Sequence, residues 1–409
     1  NWRARKRAFA IAQRHDRRGM LEPVNPTERR RLRYHSDAMH AAPPQIEQAL
    51  ELATQALFLS NPNPRVGCVI VAGDGVQVLG QGFTQQAGGA HAEVMALRDA
   101  AARGHDVRGA TAYVTLEPCA HQGRTGPCCD ALIQAGIGRV VASIADPNPQ
   151  VAGQGFARLR AAGVEVEAGP GAAQARELNI GFFSRMQRGT PWVRMKAAAS
   201  LDGVTALANG ASQWITAPAA RADGHAWRAR ACAVLTGIGT VLDDDPLLNV
   251  REVATPRQPH LVVVDSRLQT PPTARLFGVP DRRVFIYAAH EDGTRTQALE
   301  ARGATVIHLP NAHGKVDLPA LLRDLGPRGV NELHLEAGHK LNGSFVREGL
   351  VDEMLLYLAP LLLGSGAHGL ASWGPLQALA QGLRMEFHDI QQIGPDLRLI
   401  ARVAGRAQF

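Results

Sequence analysis

The sequence has few cysteines and no long apolar segment. Its 409 residues include five cysteines, which are too few and too unevenly spaced for a disulfide framework and suit a reducing compartment. No apolar run approaches the ~18 residues that a membrane-spanning helix needs. The amino-terminal region also lacks the apolar segment of a secretory signal. We therefore expect a cytoplasmic protein without a membrane partner, long enough for two ordinary domains.

The body of the chain also lacks a charge imbalance. Residues 1–40 hold 11 Lys and Arg against four Asp and Glu, whereas the remaining residues hold 33 of each sign. The whole net charge of +7 therefore belongs to the amino-terminal segment. We interpret residues 1–44 as a basic extension, either a disordered leader or a product of start-site choice near Met39. A nucleic-acid-binding arm is the alternative.

Three soft metal ligands stand in the first half of the chain: His91, Cys119 and Cys128. One imidazole and two thiols suit a tetrahedral zinc ion, and three protein ligands leave its fourth position open for water, as in catalytic zinc sites. A structural zinc would usually have a fourth protein ligand. Cys129 or His121 could supply it, although we expect Cys129 to pack in the core beside the site.

Local sequence predicts the elements that carry these ligands. Residues 92–102 are rich in helix-forming Ala, Leu and Met, so a helix should begin just after His91. Residues 111–117 predict a strand that ends before Pro118. Pro127 predicts a helix N-terminus, where backbone amides would favour a Cys128 thiolate. Further helices are predicted at 46–59 and 151–163, with strands at 66–71, 76–82 and 140–144. This alternation predicts a sheet between helical layers.

Several motifs resemble the deaminase half of the bifunctional riboflavin-biosynthesis deaminase/reductase family. They are Asn61-Pro-Asn-Pro-Arg-Val-Gly-Cys-Val-Ile-Val71, His91-Ala-Glu93, Glu117-Pro-Cys119, the segment 121–125 and Asp146-Pro-Asn-Pro149. The resemblance implies a cytidine-deaminase-like α/β/α sandwich over residues 45–187. Glu93 would be its acid/base, as in zinc deaminases generally.

The same resemblance implies substrate contacts at Asn63, His121 and Arg124. From the residues alone, Asn63 could equally cap the Pro-rich turn, and Arg124 could be a solvated loop charge. Nucleic-acid deaminases usually have two residues between their cysteines. Here eight residues separate Cys119 from Cys128, a longer loop that could meet a substrate phosphate.

The second half shows strand signals afresh from Trp192, so we place the domain boundary near residue 188. Eight predicted strands imply a single, largely parallel sheet; they lie at 193–197, 233–235, 260–264, 284–287, 305–309, 333–336, 353–358 and 397–403. The segment 364–369 fits G-x-G-x-x-G but lacks the strand-turn-helix context of a dinucleotide site, so we reject it. At 333–343 a strand ends at a glycine and a helix should begin, which suits a cofactor phosphate.

Motifs at 195–203, 212–216, 240–246, 264–266 and 336–338 resemble the reductase half of the same family. The resemblance implies a dihydrofolate-reductase-like α/β domain over residues 188–409 that uses NADPH. It places Ala198, Trp214, Thr240, Asp244, Ser266, Gly338, His339, Lys340, Leu341, Asn342, Gly343 and Ser344 at the cofactor. It places Ser212, Arg228, Leu248, Arg251 and Glu336 at the substrate, with Lys196 in reach. From the residues alone, Arg228 could be a solvated helix charge, and Trp214 could be a core side chain.

These expectations describe a two-domain enzyme of riboflavin synthesis with Zn²⁺ and NADPH as cofactors. Its substrates would be phosphoribosylaminopyrimidines, without a nucleic-acid partner, and the chain would form a homo-oligomer. The first alternative is a nucleic-acid deaminase that uses residues 1–40 as a basic arm. The second is non-enzymatic: a structural zinc module with a degenerate second domain, which would have four protein ligands on the metal.

Overall fold

The protein contains two large β-sheets, one in each half of the chain. A computed structural model of the chain describes residues 42–121, 126–149, 151–366 and 368–409. A five-stranded sheet is formed by residues between 67 and 168, and a nine-stranded sheet by residues between 192 and 403. None of the described helices is both long and apolar enough to cross a membrane.

The first sheet lies between helices, in the order β2-β1-β3-β4-β5. Its strands are β1 (Gly67–Val71), β2 (Val78–Phe83), β3 (Thr111–Val114), β4 (Arg139–Ala142) and β5 (Glu165–Ala168). Its helices are α1 (Pro44–Thr54), α2 (Ala92–Ala102), α3 (Cys128–Gln134), α4 (Gln154–Ala161), α5 (Ala172–Leu178) and α6 (Ile180–Arg188). β1 runs antiparallel to both β2 and β3, whereas β3, β4 and β5 are parallel.

The backbone of α1 packs directly on the first strand. A Cβ at Gly67 would lie 1.9 Å from the Ala49 carbonyl oxygen, so only glycine permits this approach. The predicted strands at 66–71 and 76–82, which pair antiparallel as β1 and β2, and the predicted helix at 92–102 are confirmed. The first helix is shorter than predicted and ends at Thr54, because turns replace it before the Pro-rich segment at 61–64.

The second sheet has the order β11-β10-β9-β8-β12-β6-β13-β16-β15. The strands of this half are β6 (Trp192–Ser200), β7 (Val204–Ala206), β8 (Ala233–Gly237), β9 (His260–Val264), β10 (Val284–Ala288), β11 (Ala304–His308), β12 (Glu332–Leu335), β13 (Glu353–Ala359), β14 (His368–Gly369), β15 (Met385–Ile393) and β16 (Asp396–Val403). The helices are α7 (Pro218–Arg230), α8 (Ile238–Asp244), α9 (Gly293–Glu300), α10 (Leu318–Leu325) and α11 (His339–Arg347). Strands β7 and β14 form a separate two-stranded sheet.

The single, largely parallel second sheet is confirmed. All eight predicted strands belong to it, and only the last two strands in its order, β16 and β15, are joined by antiparallel pairing. The central strands are apolar runs buried on both faces, as parallel sheets require. The sequence analysis missed β15 because Met385–Ile393 is mostly polar and exposed, which is typical of a sheet edge. The rejected glycine motif has no helix over its described residues 364–366.

A buried cluster of charges joins the two halves. The Glu332 carboxylate accepts hydrogen bonds from Arg65 at 2.5 Å, from Arg194 at 2.8 Å and from Arg230 at 2.8 Å. Burial opposes ionisation of Glu332, yet the three guanidinium charges hold its pKa well below the ordinary value. Arg65 precedes β1, whereas the other three residues belong to the second sheet and α7. The domain boundary itself, near residue 188, stays a prediction.

We expect Glu332→Gln to destabilise the protein by about 3–5 kcal/mol, because it leaves buried guanidinium groups without their charge partner. Urea unfolding followed by intrinsic fluorescence measures the change. The matched control is Glu167→Gln, which breaks an exposed pair with Arg139 and should cost no more than about 0.5 kcal/mol. Equal stability of the two variants would contradict this account of the cluster.

Candidate active sites

Three predicted metal ligands converge at the ends of three elements. His91 is the N-cap residue of α2, Cys119 follows β3, and Cys128 is the first residue of α3. The His91 Nδ1 atom lies 3.7 Å from the Cys119 sulfur and 3.3 Å from the Cys128 sulfur. The Cys128 backbone N–H donates to the Cys119 sulfur at 3.4 Å. In the part of the chain that the structure describes, this is the one group of His, Cys, Asp or Glu side chains that could hold a metal.

The cluster fits a zinc ion. In a tetrahedral site with Zn–N and Zn–S bonds of about 2.0–2.3 Å, ligand atoms stand about 3.6 Å apart. The two measured nitrogen–sulfur distances, 3.7 and 3.3 Å, bracket that value. Hydrogen bonds from the Cys128 thiol and from His91 lower the pKa of Cys119 to about 4, and a thiolate is the form that binds metal. The residues present therefore suit the ion that the sequence predicts.

Glu93 lies beside this cluster on the first turn of α2. The carboxyl group is buried, at 4% exposure, and burial together with the Cys119 charge raises its pKa to about 7. The neighbouring His91 charge and the Cys128 thiol lower the same pKa and so oppose that rise. The predicted acid/base residue is thus within reach of all three ligands.

Cys129 packs as expected and does not join the ligands. Its buried thiol donates to the Pro118 carbonyl at 3.1 Å, and burial raises its pKa to about 12. Burial raises the pKa of Asp146 to about 6, and the neighbouring His121 opposes that rise. The His121 side chain is exposed. Arg124 lies outside the described residues. With three ligand side chains in the cluster, the four-ligand structural zinc gains no support here.

A buried carboxylate that the sequence analysis left without a role fixes the loops around the cluster. Glu117 accepts four backbone N–H bonds, from Asp146, Gly153, Gly155 and Phe156, at 2.9–3.2 Å. It thereby ties the segment before Cys119 to the start of α4. The available signal was its position: a glutamate directly before a Pro-Cys ligand, at the end of a buried strand.

We expect Cys128→Ser to weaken zinc binding by at least about 10–100-fold, because a hydroxyl replaces a metal-ligating thiolate. Metal analysis after dialysis against a competing chelator measures the loss. Cys129→Ser is the matched control, since a serine hydroxyl can still donate to the Pro118 carbonyl. Retention of zinc by Cys128→Ser, or its loss from Cys129→Ser, would contradict the ligand assignment.

A second set of predicted residues gathers at the carboxyl edge of the nine-stranded sheet. Ser266 follows β9, Thr240 lies in α8 just after β8, and Glu336 with Gly338 follows β12. Ligands of open parallel sheets bind at this edge. Gly338 is the N-cap of α11, so the predicted passage from strand to glycine to helix is confirmed.

The predicted substrate residues form a charged cluster at this edge. Arg228 donates to both oxygens of Glu336 at 2.8 Å, and to the Asn249 carbonyl at 2.5 Å. Arg228 is therefore a partly buried ion-pair partner rather than a solvated helix charge. Lys196 shares the cluster, where burial lowers its pKa despite the nearby Glu336 charge. Arg251 has a half-exposed side chain, and within the described residues its guanidinium makes a 3.4 Å hydrogen bond to Asn249 and a 4.0 Å contact with Glu252.

His225 belongs to this cluster and was missed by the sequence analysis. It accepts the Arg251 backbone N–H at Nδ1, 3.4 Å away. Burial, with the charges of Arg228 and Arg251, lowers its pKa to about 4, so the imidazole is neutral near pH 7. The available signal was its spacing: His225 stands three residues before Arg228, on the same face of α7.

The predicted cofactor residues occupy different environments. Trp214 is 66% exposed with the Arg221 guanidinium 4.5 Å from its ring centre, so the core alternative is wrong. Ser266 accepts the Val316 N–H at 3.4 Å. Asn342 donates to the Leu370 carbonyl at 3.1 Å. The remaining members lie on β6, in α8, or along α11; they are Ala198, Asp244, His339, Lys340, Leu341, Gly343 and Ser344. Of the substrate set, Ser212 is exposed and Leu248 is buried.

Two family models match the chain, one for each sheet. The model described as "RibD C-terminal domain" matches residues 191–399. The model described as "Cytidine and deoxycytidylate deaminase zinc-binding region" matches residues 43–144. The second match contains His91, Cys119 and Cys128.

Several whole proteins are similar along most of the chain. The riboflavin biosynthesis protein RibD of Escherichia coli is 46% identical over 366 residues, which cover 87% of this chain and 97% of that protein. The RibD of Haemophilus influenzae is 41% identical and covers 87% of this chain and 95% of that protein.

Solved structures give the same picture. Acinetobacter baumannii RibD, form 1, matches with a TM-score of 0.79 and 43% identity, covering 88% of this chain and 97% of that one. A Thermotoga maritima diaminohydroxyphosphoribosylaminopyrimidine deaminase/5-amino-6-(5-phosphoribosylamino)uracil reductase matches at 0.77 and 31% identity, covering 88% and 98%. The predicted fold class is confirmed: α/β, with a cytidine-deaminase-like domain followed by a dihydrofolate-reductase-like domain.

Proposed function

We propose residue roles for the two activities of this chain, which belongs to the RibD family of bifunctional riboflavin-biosynthesis enzymes. The two activities are a zinc-dependent deamination and an NADPH-dependent reduction. The substrate of the first reaction is a diaminopyrimidine ribosyl phosphate, which loses one amino group as ammonia. The product of that step is the substrate of the second reaction, in which the ribosyl group becomes an open ribityl chain.

The deaminase assignment rests on one observation: a three-ligand cluster with a buried carboxyl group beside it. His91, Cys119 and Cys128 would hold the zinc ion, which, when bound, activates a water molecule for attack on the amino-bearing ring carbon. Glu93 would take one proton from that water and pass it to the ring nitrogen, and would then carry the second proton, from the newly formed hydroxyl, to the amino group that departs as ammonia. Its burial excludes bulk water as a competing proton acceptor.

Binding of the pyrimidine would involve the loops that surround the cluster. We assign Asn63 on the Pro-rich segment, together with His121 and Arg124 on the long loop between the cysteines, as substrate contacts. Support for His121 is its exposed position near Asp146, at the end of the sheet that carries the ligands. A basic side chain on this loop suits the ribosyl phosphate through a charge-assisted hydrogen bond.

We expect Glu93→Gln to abolish ammonia release, with a loss of at least about 100–10,000-fold, because glutamine cannot carry the proton. The variant should still reduce the deaminated compound when NADPH is supplied. Ammonia release and NADPH oxidation, measured separately with the respective substrates, give the two rates. Zinc content serves as the control for an intact metal site. Loss of both activities together would contradict the independence of the two sites.

In the reductase domain the charged cluster at the carboxyl edge would hold the second substrate. The Glu336 carboxylate, oriented by the Arg228 fork, would accept hydrogen bonds from ribose hydroxyls. Arg251 and Lys196 would face the phosphate, because their charged groups are engaged less than that of Arg228. Ser212 and Leu248 would complete the substrate contacts.

NADPH would lie along the same edge and supply the hydride to the ribosyl carbon. The backbone N–H groups at the start of α11 would receive a cofactor phosphate, with Gly338 as N-cap. The other assigned cofactor contacts are Ala198, Trp214, Thr240, Asp244, Ser266, His339, Lys340, Leu341, Asn342, Gly343 and Ser344. The role of the protein in this step is to bind and orient the two molecules.

We expect Arg251→Ala to raise the reductase KM for its phosphate-bearing substrate by about 10-fold or more, since a charge-assisted hydrogen bond contributes about 1.5–3 kcal/mol. The deaminase KM should not change, because Arg251 lies at the reductase site. Initial-rate kinetics of both reactions provide the measurement. Arg323→Ala, on the exposed face of α10, is the matched control. An unchanged reductase KM would rule out this phosphate contact.

The finer statements about partners remain proposals. We propose that the enzyme acts on small molecules only, functions in the cytoplasm and forms a homo-oligomer. The basic segment 1–40 lies outside the described residues, as does nearly all of the predicted extension 1–44. A nucleic-acid deaminase would leave the whole nine-stranded domain without a role, and no specific contact favours it.

A further inference from the structure

The Pro-rich loop at residues 60–65 lies at the end of the first sheet where His91, Cys119 and Cys128 converge. It leads into β1, and β1 runs antiparallel to β3. The Thr115 N–H donates to the Gly67 carbonyl at 3.1 Å, so the start of β1 is paired with the end of β3. Because the chain that leaves the end of β3 leads to Cys119, the loop and the candidate metal ligands share one end of the sheet. The loop carries Asn63, the proposed pyrimidine contact.

At Asn61 and Pro62 this loop is held by the other domain, whereas the Arg65 backbone at its end is held by Asn179 of the first domain, with hydrogen bonds of 2.7 and 2.9 Å. The Asn331 side-chain amide donates to the Pro62 carbonyl at 2.8 Å. The Asn61 side-chain amide donates to the Arg230 carbonyl at 3.0 Å, and the Cys232 thiol donates to the Asn61 side-chain oxygen at 3.3 Å. Within the loop itself, Ser60 and Asn63 form two hydrogen bonds, 2.8 and 3.1 Å long. At Asn61 and Pro62 the loop therefore takes its position from groups that precede strands β8 and β12.

Those groups are themselves fixed. Asn331 is 3% exposed, and its side-chain oxygen accepts from the Arg185 Nε at 2.5 Å. Its backbone N–H donates to the Cys232 sulfur at 3.2 Å, and its carbonyl accepts from the Trp192 N–H at 2.8 Å. Both residues stand at the amino ends of strands, Asn331 before β12 and Cys232 before β8. The proposed reductase site occupies the opposite, carboxyl edge of the same strands.

We propose that Asn331 and Cys232 are positioning residues of the deaminase reaction, although both belong to the reductase domain. They hold the loop 60–65 so that Asn63 is already in place when the pyrimidine binds, which saves the cost of ordering the loop at that moment. The dependence runs one way, because among the described residues no hydrogen bond joins the loop to a residue assigned to the reductase site. This inference rests on the proposed function of Asn63 in substrate binding.

The test is Asn331→Asp, which keeps the oxygen that accepts from Arg185 and removes the donor to the Pro62 carbonyl. We expect the deaminase KM to rise about 5–10-fold, as for the loss of one ordering hydrogen bond. The deaminase kcat, the zinc content and both reductase constants should stay within about twofold, because neither active site loses a group. A purely structural defect would instead lower both activities together.

A matched control breaks the domain junction elsewhere. Glu177→Gln weakens the pair between α5 and Arg402, whose bonds are 2.7 and 2.8 Å long, without touching the loop. Its deaminase KM should remain that of the wild type. An equal rise in Glu177→Gln and Asn331→Asp would overturn the proposal, because general docking rather than the loop would then set the KM. An unchanged KM in Asn331→Asp would overturn it as well.

A second pair keeps the inference testable if Asn331→Asp does not fold. Cys232→Ala removes the donor to Asn61 and should raise the deaminase KM, whereas Cys232→Ser restores a donor and should rescue it. Wild-type KM in Cys232→Ala, or no rescue by serine, would count against the proposal. Failure of the proposed function has a different signature: the wild-type enzyme would then release no ammonia from the diaminopyrimidine, and the inference would fall with it.

Discussion

The buried carboxylate of Glu332 imposes the main constraint on this structure. A carboxylate without water is costly unless cations surround it, and here the cations come from both domains: Arg65 from the first, Arg194 and Arg230 from the second. Arg194 also forms an ion pair with Glu353, with 2.5 Å between its Nε and the Glu353 carboxylate. The two sheets must therefore meet in one arrangement for these charges to be neutralised. Apolar packing alone would permit many arrangements, whereas directional bonds at buried charges permit few.

The nine-stranded sheet is proposed to serve both sites. Its amino edge lies next to the loop 60–65 of the first domain, and its carboxyl edge carries the proposed reductase site. Strand β12 runs between both edges: Glu332 and His334 share one of its faces, and Glu336 follows directly after its end. His334 is fully buried, and burial lowers its pKa, an effect opposed by the Glu336 carboxylate 3.2 Å from its Nε2. The chemistry of the two sites remains separate, while their architecture is shared.

At the deaminase site, local sequence patterns predicted some contacts and not others. The candidate metal ligands were predictable because each stands near a recognisable boundary: the start of α2, the segment after β3 and the start of α3. The four N–H groups that converge on Glu117 were not predictable, because they come from residues 29–39 positions later in the chain. In the reductase domain, likewise, the bidentate pair of Arg228 and Glu336 joins residues 108 positions apart.

The sequence by itself determined the fold class, the two halves, the candidate metal ligands, and the passage from β12 to α11, because periodicity, prolines and glycines act over a few residues. Only the tertiary structure decided which charges are buried, that Arg228 is an ion-pair partner, that Trp214 is exposed, and that the Pro-rich loop rests on Asn331. Burial and long-range hydrogen bonds depend on which surfaces meet. No local sequence pattern shows which surfaces meet. The edge strand β15 was not predicted for the same reason, since its residues pair on one side and otherwise face solvent.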